Sequence, residues 1–299
     1  MVEPALNVGV VDIGTNSMRL LITSRHTEVG RWVEVTGLGR GVDATGRLAE
    51  SAMAASLEAF AGFGSLMDSH GVVLRKAIAT SASRDAGNRD EFFKRSLVAL
   101  GVMPTLISGE EEALYAFEGA TSGLEDRSGV VVSDIGGGSS EFVTLESSVS
   151  VDIGSVRLTE SLLTDRPPSS QQLDDAAAHV SGLFSAVPPN SVRSIGIAGT
   201  WTSLAAIALE LPGYESERVH GFEMGLRDIE RLVDMLAGMT VEETASIPSL
   251  DPKRAPVILS GAVIAREVLH HLAMDEITVS ERDTLDGVAA ELLADSSIF

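Results

Sequence analysis

Val10-Val11-Asp12-Ile13-Gly14-Thr15-Asn16-Ser17 returns later in the chain as Val132-Ser133-Asp134-Ile135-Gly136-Gly137-Gly138-Ser139. Each copy is an apolar run, then Asp-Ile-Gly, then small residues closing on Ser. More apolar residues follow, Met18 to Ile22 after the first copy and Phe142 to Leu145 after the second. Apolar run, small-residue turn, apolar run predicts a hairpin with the turn at its tip. Two such hairpins about 120 residues apart predict two related domains, a repeat at domain scale. Small turn residues let backbone N–H groups approach an anion. The pair of turns therefore predicts a clamp for a phosphate chain and its metal.

Outward from these turns, Arg31 to Thr36 reads as a third strand. Met53, Leu57, Phe60 and Met67 then fall on one helical face. Lys76 to Thr80 reads as a strand leading into a loop from Ser81 to Gly87. Asn88 with Glu91 has capping-box spacing, and Gly101 fits the end of that helix. Pro104 to Ile107 is a short strand, and Ser108 opens a helix to about Gly119. The second half repeats the plan. It has a hairpin at Val130 to Ser133 and Phe142 to Leu145, and a strand at Val149 to Ile153. Beyond the loop Arg166 to Ser169 come a helix to about Phe184 and a strand from Ser194 to Ala198. Helices are expected at Gly199 to Leu209, Leu226 to Leu236, Ala255 to Leu272 and Leu285 to Ala294, with a strand at Ile277 to Ser280. Strands mixed with helices in this way predict α/β domains with mixed sheets.

The 299 residues suffice for two domains, and 44% hydrophobic content supplies a sizeable core. No apolar stretch approaches a membrane span. Met1-Val2-Glu3-Pro4 lacks the basic and apolar regions of a secretion signal, so the expected location is cytoplasmic. Cysteine is absent, which excludes disulfides, thiolate metal sites and cysteine nucleophiles. The net charge is −21, from 22 Lys plus Arg against 43 Asp plus Glu. That balance argues against nucleic acid and anionic membranes as partners. It also obliges a phosphate site to rely on local cations or a divalent metal.

Several residues could carry chemistry. Asp12 and Asp134 are either turn residues bonding their own backbone or ligands of a hard cation such as Mg²⁺. Glu141, on the strand leaving the second turn, is either a metal acid or a solvated charge. Ser108-Gly109-Glu110-Glu111-Glu112 reads structurally as a capping box with acids at a helix start. Functionally, one of its acids could activate the water that attacks a phosphoanhydride. Pattern alone leaves open which one. Gly199-Thr200 joins a strand to a helix and is either an ordinary helix start or an anion site. Ser83 and Arg84 sit in a small-residue loop that could grip phosphate or form a surface turn. Trp201 could stack on a base or pack its helix.

In this order, these segments resemble the exopolyphosphatase/guanosine pentaphosphate phosphohydrolase family of the actin-like ATPase superfamily. The marks are Asp12 to Ser17, Ala79 to Asn88, Ile107 to Ala113, Asp134 to Glu141, Gly154 to Glu160, Gly199 to Ala206, Lys253 to Ala255 and Ser280 to Gly287. The Gly-Glu-Glu-Glu-Ala segment makes the likeness specific. The resemblance implies two ribonuclease-H-like domains, residues 1–120 plus 284–299 and residues 121–283, with the active site in the cleft between them. It implies Mg²⁺-dependent release of orthophosphate from the end of a polyphosphate, or from guanosine pentaphosphate. It places the base at Glu111, with Glu112 the other register, so that Glu111→Gln would bind substrate and lose turnover. It maps the metal acids to Asp134, Glu141 and Asp12, and the phosphate-facing cations to Arg19 and Arg254. The phosphoryl group would meet the backbone of Gly14, Thr15, Asn16 and Ser17 and of Gly136, Gly137, Gly138 and Ser139. A homodimer is expected. Many family members carry a further helical region that this sequence does not show after Gly287, so short polyphosphate chains or a nucleotide are the expected substrates. Two other classes remain in view: a kinase of the same superfamily, and a non-catalytic sensor of polyphosphate or an alarmone.

Overall fold

The computed structural model describes residues 6–187 and 192–295. The N-terminal Met1 to Pro4 and the last four residues of the expected first domain lie outside the described residues. By its internal packing the chain divides into Met1–Gly119 with Thr284–Phe299, and Ala120–Asp283.

The first unit is built on β1 (Val8–Ile13), β2 (Ser17–Thr23) and β3 (Glu28–Val35). The helices α1 (Val42–Thr45) and α2 (Glu50–Ser69) lead to β4 (Leu74–Ala79). Next come α3 (Ser81–Asp85), α4 (Arg89–Leu100), β5 (Thr105–Leu106) and α5 (Gly109–Thr121). The sheet order is β3-β2-β1-β4-β5. β1 pairs antiparallel with β2 and parallel with β4. Every residue of β1 is buried, because both faces of the sheet are covered. Alternation decides which side chain goes where. Val11 and Ile13 join the core of Phe60, Phe63, Met67 and Phe92 from α2 and α4. Val8 and Val10 pack instead with Leu285, Val288 and Ala289 of the C-terminal helix Thr284–Asp295. Asp12 is in phase with Val8 and Val10, which carries it to that second face.

The second unit contains β6 (Val130–Ile135), β7 (Ser140–Val143), β8 (Ser148–Val151), α6 (Ser155–Ser161) and α7 (Ser170–Leu183). These are followed by β9 (Arg193–Ile197), α8 (Ala198–Ala208), α9 (Ser216–Val219) and β10 (Glu223–Gly225). The unit closes with α10 (Leu226–Ala237), α11 (Val241–Ala245), α12 (Ile258–Leu272) and β11 (Glu276–Val279). Its sheet order is β10-β11-β9-β6-β7-β8. Matching β6, β7, β8, β9 and β11 to β1 through β5 reproduces the order of the first sheet, with β10 added at the edge. The repeat read in two short phrases is thus a repeat of whole mixed sheets flanked by helices. α12 is buried along most of its length and forms the centre of this unit's core with α7, α8 and α10.

Three local expectations change. Ser81 to Asp85 is helical rather than loop, because the Ser83 and Arg84 amides both donate to the Thr80 carbonyl. Asn88 makes no capping box. Its amide group instead exchanges two hydrogen bonds with the backbone of Leu48, at 2.8 and 3.0 Å. The long helix expected from Ala255 begins at Ile258, behind a single 3₁₀ turn at Pro252–Arg254. α1, α6, α9, α11 and β10 are elements that sequence periodicity did not mark. Among the described residues, no helix is long and apolar enough to cross a membrane.

Candidate active site

Both Asp-Gly phrases fold into the same turn. Gly14 N–H donates to the Ser17 carbonyl at 3.1 Å, and Gly136 N–H donates to the Ser139 carbonyl at 3.0 Å. Two residues form each tip, Thr15-Asn16 in one and Gly137-Gly138 in the other. The carbonyls of each turn are occupied by a supporting segment. The Thr15 carbonyl accepts from Gly39, and the Asn16 carbonyl from Thr36 and Gly37. Likewise the Gly136 carbonyl accepts from Ser155, and the Gly137 carbonyl from Val156 and Arg157. The Gly138 carbonyl accepts from Arg157 Nε at 2.8 Å. In a trans peptide the N–H points opposite to the C=O of the same plane. Tying the carbonyls back therefore turns the amides of Asn16, Ser17, Gly137, Gly138 and Ser139 toward the other side. That is the geometry of a backbone anion cradle.

The supporting segments explain two glycines. A Cβ on Gly39 would lie 2.3 Å from Thr15 Cγ2, and one on Gly154 would lie 2.4 Å from the Gly137 carbonyl carbon. The sequence marked Gly154 only within a family motif. The signal that could have found their role is close backbone approach, which periodicity does not report.

The cross-strand partners of the two aspartates differ. Asp12 on β1 lies opposite Arg19 on β2, and Arg19 Nε donates to its Oδ2 at 2.9 Å. Asp134 on β6 lies opposite Glu141 on β7. Both acids of this second pair are buried, and Ser150 Oγ donates to Glu141 Oε1 at 2.8 Å. Like charges directly opposite on one sheet face repel. A hard cation relieves that repulsion, and two carboxylates are what Mg²⁺ ordinarily takes from a protein. The donor set fits: oxygen only, with no His or Cys. Asp12 is different, because its charge is answered by a guanidinium. Among the described residues, no group of three or more acids or histidines is gathered as a cage.

Ser108 opens α5, and the neighbouring glutamates diverge. Glu111 closes the capping box, accepting from Ser108 N–H at 2.8 Å while its own N–H donates to Ser108 Oγ at 3.1 Å. It is exposed, as is Glu110. Glu112, one residue on, turns about 100° around the helix. Its side chain is 12% exposed and accepts from Arg84 Nη1 at 2.9 Å. Arg84 also donates to the Ile107 carbonyl. Burial pushes the Glu112 carboxyl up to about 7. Arg84 opposes that rise, Asp12 adds to it, and Arg19 opposes it. The expectation of a base at Glu111 therefore meets a residue spent on capping the start of its helix, while Glu112 has the environment of a titrating acid. Ser83 Oγ is fully buried, and Asn16 Oδ1 nearly so, and neither finds a hydrogen-bond partner. Buried polar atoms are rarely left so. Ala82 N–H donates to Thr15 Oγ1, which ties the α3 start to the first turn.

In the second unit Gly199 lies beneath Arg254. A Cβ there would fall 1.9 Å from the Arg254 Nη1 atom. Ala198, just before it, has φ of 66°, left-handed backbone that costs a non-glycine residue. Gly199, Thr200 and Arg254 are thus brought together as expected. Trp201 packs its helix: it is fully buried and lies under Gly196.

Residues 21–295 match the Ppx/GppA phosphatase family. The chain belongs to that family. Among its relatives is exopolyphosphatase 2 of Mycobacterium tuberculosis, 37% identical over 312 residues, 95% of this chain and 98% of that protein. A crystal structure of an exopolyphosphatase-like protein superposes with a TM-score of 0.92 at 33% identity, covering 97% of this chain and 99% of that one. The Ppx/GppA family member of Aquifex aeolicus gives a TM-score of 0.82 at 29% identity, covering 98% and 99%. The Ppx/GppA fold and its two mixed sheets are therefore those of this chain. Family membership makes the chain a phosphoanhydride hydrolase.

Proposed function

We propose that this Ppx/GppA protein releases orthophosphate from the end of inorganic polyphosphate, with Glu112 as the general base. The observation that carries the assignment is the environment of Glu112, a carboxyl raised to about 7 and held in place by Arg84. A base poised near the working pH combines the correct protonation state with enough basicity to take a proton.

The step is an in-line displacement. A water oxygen bonds to the terminal phosphorus, the anhydride P–O bond breaks, and its electron pair leaves on the oxygen of the shortened chain. The water proton passes to Glu112 Oε. Within each unit taken by itself, the turn amides (Asn16 and Ser17 in the first, Gly137 to Ser139 in the second) are turned outward before any phosphate arrives, so each cradle can take up phosphate charge without reorganising. Arg254, over Gly199, adds a cation for the chain oxygens. Asp134 and Glu141 would hold Mg²⁺, which supplies neutralisation of phosphate charge when bound. The overall charge of −21 makes such local neutralisation necessary.

The test is orthophosphate release from short and long polyphosphate and from guanosine pentaphosphate, each with Mg²⁺ and with chelator. Metal-dependent release from polyphosphate supports the reading. A folded protein that binds polyphosphate and releases nothing would replace it with a sensor.

A further inference from the structure

Arg166, in the loop after α6, carries a half-buried guanidinium that faces no carboxylate among the described residues. Its acceptors are neutral oxygens on three separate segments. Nη2 donates to the Leu236 carbonyl at 3.1 Å and to the Met239 carbonyl at 3.3 Å, at the end of α10. It also donates to Thr244 Oγ1 on α11 at 2.8 Å. Nη1 donates to the Ala255 carbonyl at 3.2 Å. Carbonyls at a helix end lack partners within the helix and attract a cation. That accounts for the contacts with α10. It does not account for Ala255, which follows directly on Arg254.

Arg254 sits in the 3₁₀ turn Pro252–Arg254, only three residues long. Arg254 N–H donates to the Asp251 carbonyl at 2.8 Å, and Ala255 N–H donates to the Pro252 carbonyl at 3.2 Å. Such turns have poorer hydrogen-bond geometry than an α-helix. Ala255 is fully buried, and Pro256 after it has a fixed φ and no N–H. Fastening the Ala255 carbonyl therefore fixes the backbone from which the Arg254 side chain leaves. The fit at the far end of that side chain is close, since a Cβ on Gly199 would fall 1.9 Å from its Nη1 atom. A lysine at position 166 could not make the same set of bonds. An ammonium offers its donors at one point, whereas a guanidinium spreads them across a planar fork.

We infer that Arg166 is a positioning residue for the reaction: it holds the turn that carries Arg254, and so keeps the Arg254 guanidinium over Gly199, where it meets the phosphate chain. The inference rests on the phosphate role of Arg254 proposed above and names what keeps that residue in register. Arg166 itself touches no substrate. Its bonds to α10 and α11 anchor the turn to the core of the second unit.

The experiment is a double-mutant cycle of Arg166→Met and Arg254→Met, with Arg166→Lys and Thr244→Val alongside. Folding is checked by circular dichroism. Each protein is assayed for kcat and KM on inorganic tripolyphosphate, and for binding of its non-hydrolysable imido analogue by calorimetry, both with Mg²⁺. Arg254→Met should raise KM and weaken the analogue about tenfold, the range of one lost charge-assisted hydrogen bond, with a smaller change in kcat. Arg166→Met should move the same two quantities severalfold, and should add nothing once Arg254 is already Met. Arg166→Lys should recover little of that loss. Thr244→Val removes one anchor and should give a smaller change in the same direction. Wild-type KM in Arg166→Met, or a loss of equal size in both backgrounds, would overturn the inference, because a merely structural residue does not act through Arg254. If Arg166→Met does not fold, Arg166→Lys takes its place in the cycle under the same criterion. Unchanged binding in Arg254→Met would withdraw Arg254 from the phosphate site, and the inference with it. Absence of orthophosphate release by the wild type would overturn the hydrolase reading instead, and the binding cycle would still decide the role of Arg166.

Discussion

Arg84 and Glu112 form a 2.9 Å ion pair that joins the end of α3 to the first turn of α5. The pair does not neutralise Glu112 in the ordinary way. Burial outweighs the guanidinium, and the carboxyl stays near 7. A carboxylate held close to neutrality beside a backbone anion cradle has the properties a phosphoanhydride hydrolase needs in a base.

The pH dependence follows with a definite sign. Glu112 must be ionised to accept a proton, so kcat/KM should rise with pH along an acid limb near 7 rather than near 4.5. Arg84 lowers this pKa, so Arg84→Met should move the limb to higher pH. A pH–rate profile of both proteins checks this, and an unmoved limb would detach Arg84 from the titrating group.

Stability should carry the same signature. A carboxyl raised from 4.5 to about 7 contributes stability below its unfolded value and loses it as pH rises through 7. Above pH 7 the buried charge costs on the order of 3 kcal/mol at most. Glu112→Gln carries no such charge. Relative to wild type, its melting temperature should therefore be higher at pH 8 than at pH 5. Thermal unfolding at the two values reads this directly.

Asp134 and Glu141 predict a metal phenotype. Asp134→Asn and Glu141→Gln remove the charge opposed across β6 and β7 and keep the shape. Each should raise the Mg²⁺ concentration needed for half-maximal orthophosphate release by tenfold or more, a size typical of altered metal sites. Asp12→Asn should act differently, through Arg19 and the Glu112 environment, with a smaller change in metal requirement. A magnesium titration of the three variants separates them.

Gly154→Ala should disturb the second cradle without touching a charged group. The added methyl would press on the Gly137 carbonyl carbon at 2.4 Å, so the turn must shift. Displacing positioning groups by about 1 Å costs roughly 10²-fold in rate. Steady-state kinetics on polyphosphate should show that loss with folding retained by circular dichroism.

Much of this was legible in the sequence because it was written twice. The two Asp-Ile-Gly phrases predicted the hairpins, and the matched sheet orders extend them. The Ser108–Glu111 capping box was readable from spacing and is present. Which glutamate faces inward was not readable. Successive helix residues differ by about 100°, and only the packing of α5 beside Arg84 and Asp12 selects Glu112. Asn88 shows the same limit from the other side. Its capping spacing was correct, but the Leu48 backbone, forty residues away in sequence, claimed the side chain. The role of Arg166 had no local signal at all, since the oxygens it holds lie 70 to 89 residues away in sequence.

The most direct measurement is single-turnover orthophosphate release at pH 8 by Glu112→Gln and Glu111→Gln side by side, with polyphosphate binding measured on each. Gln serves a capping box as Glu does, so Glu111→Gln should turn over close to wild type. Glu112→Gln should bind polyphosphate and lose about 10²- to 10⁴-fold in rate, the usual contribution of a general base. Full turnover by Glu112→Gln, with the loss falling on Glu111→Gln instead, would contradict the account.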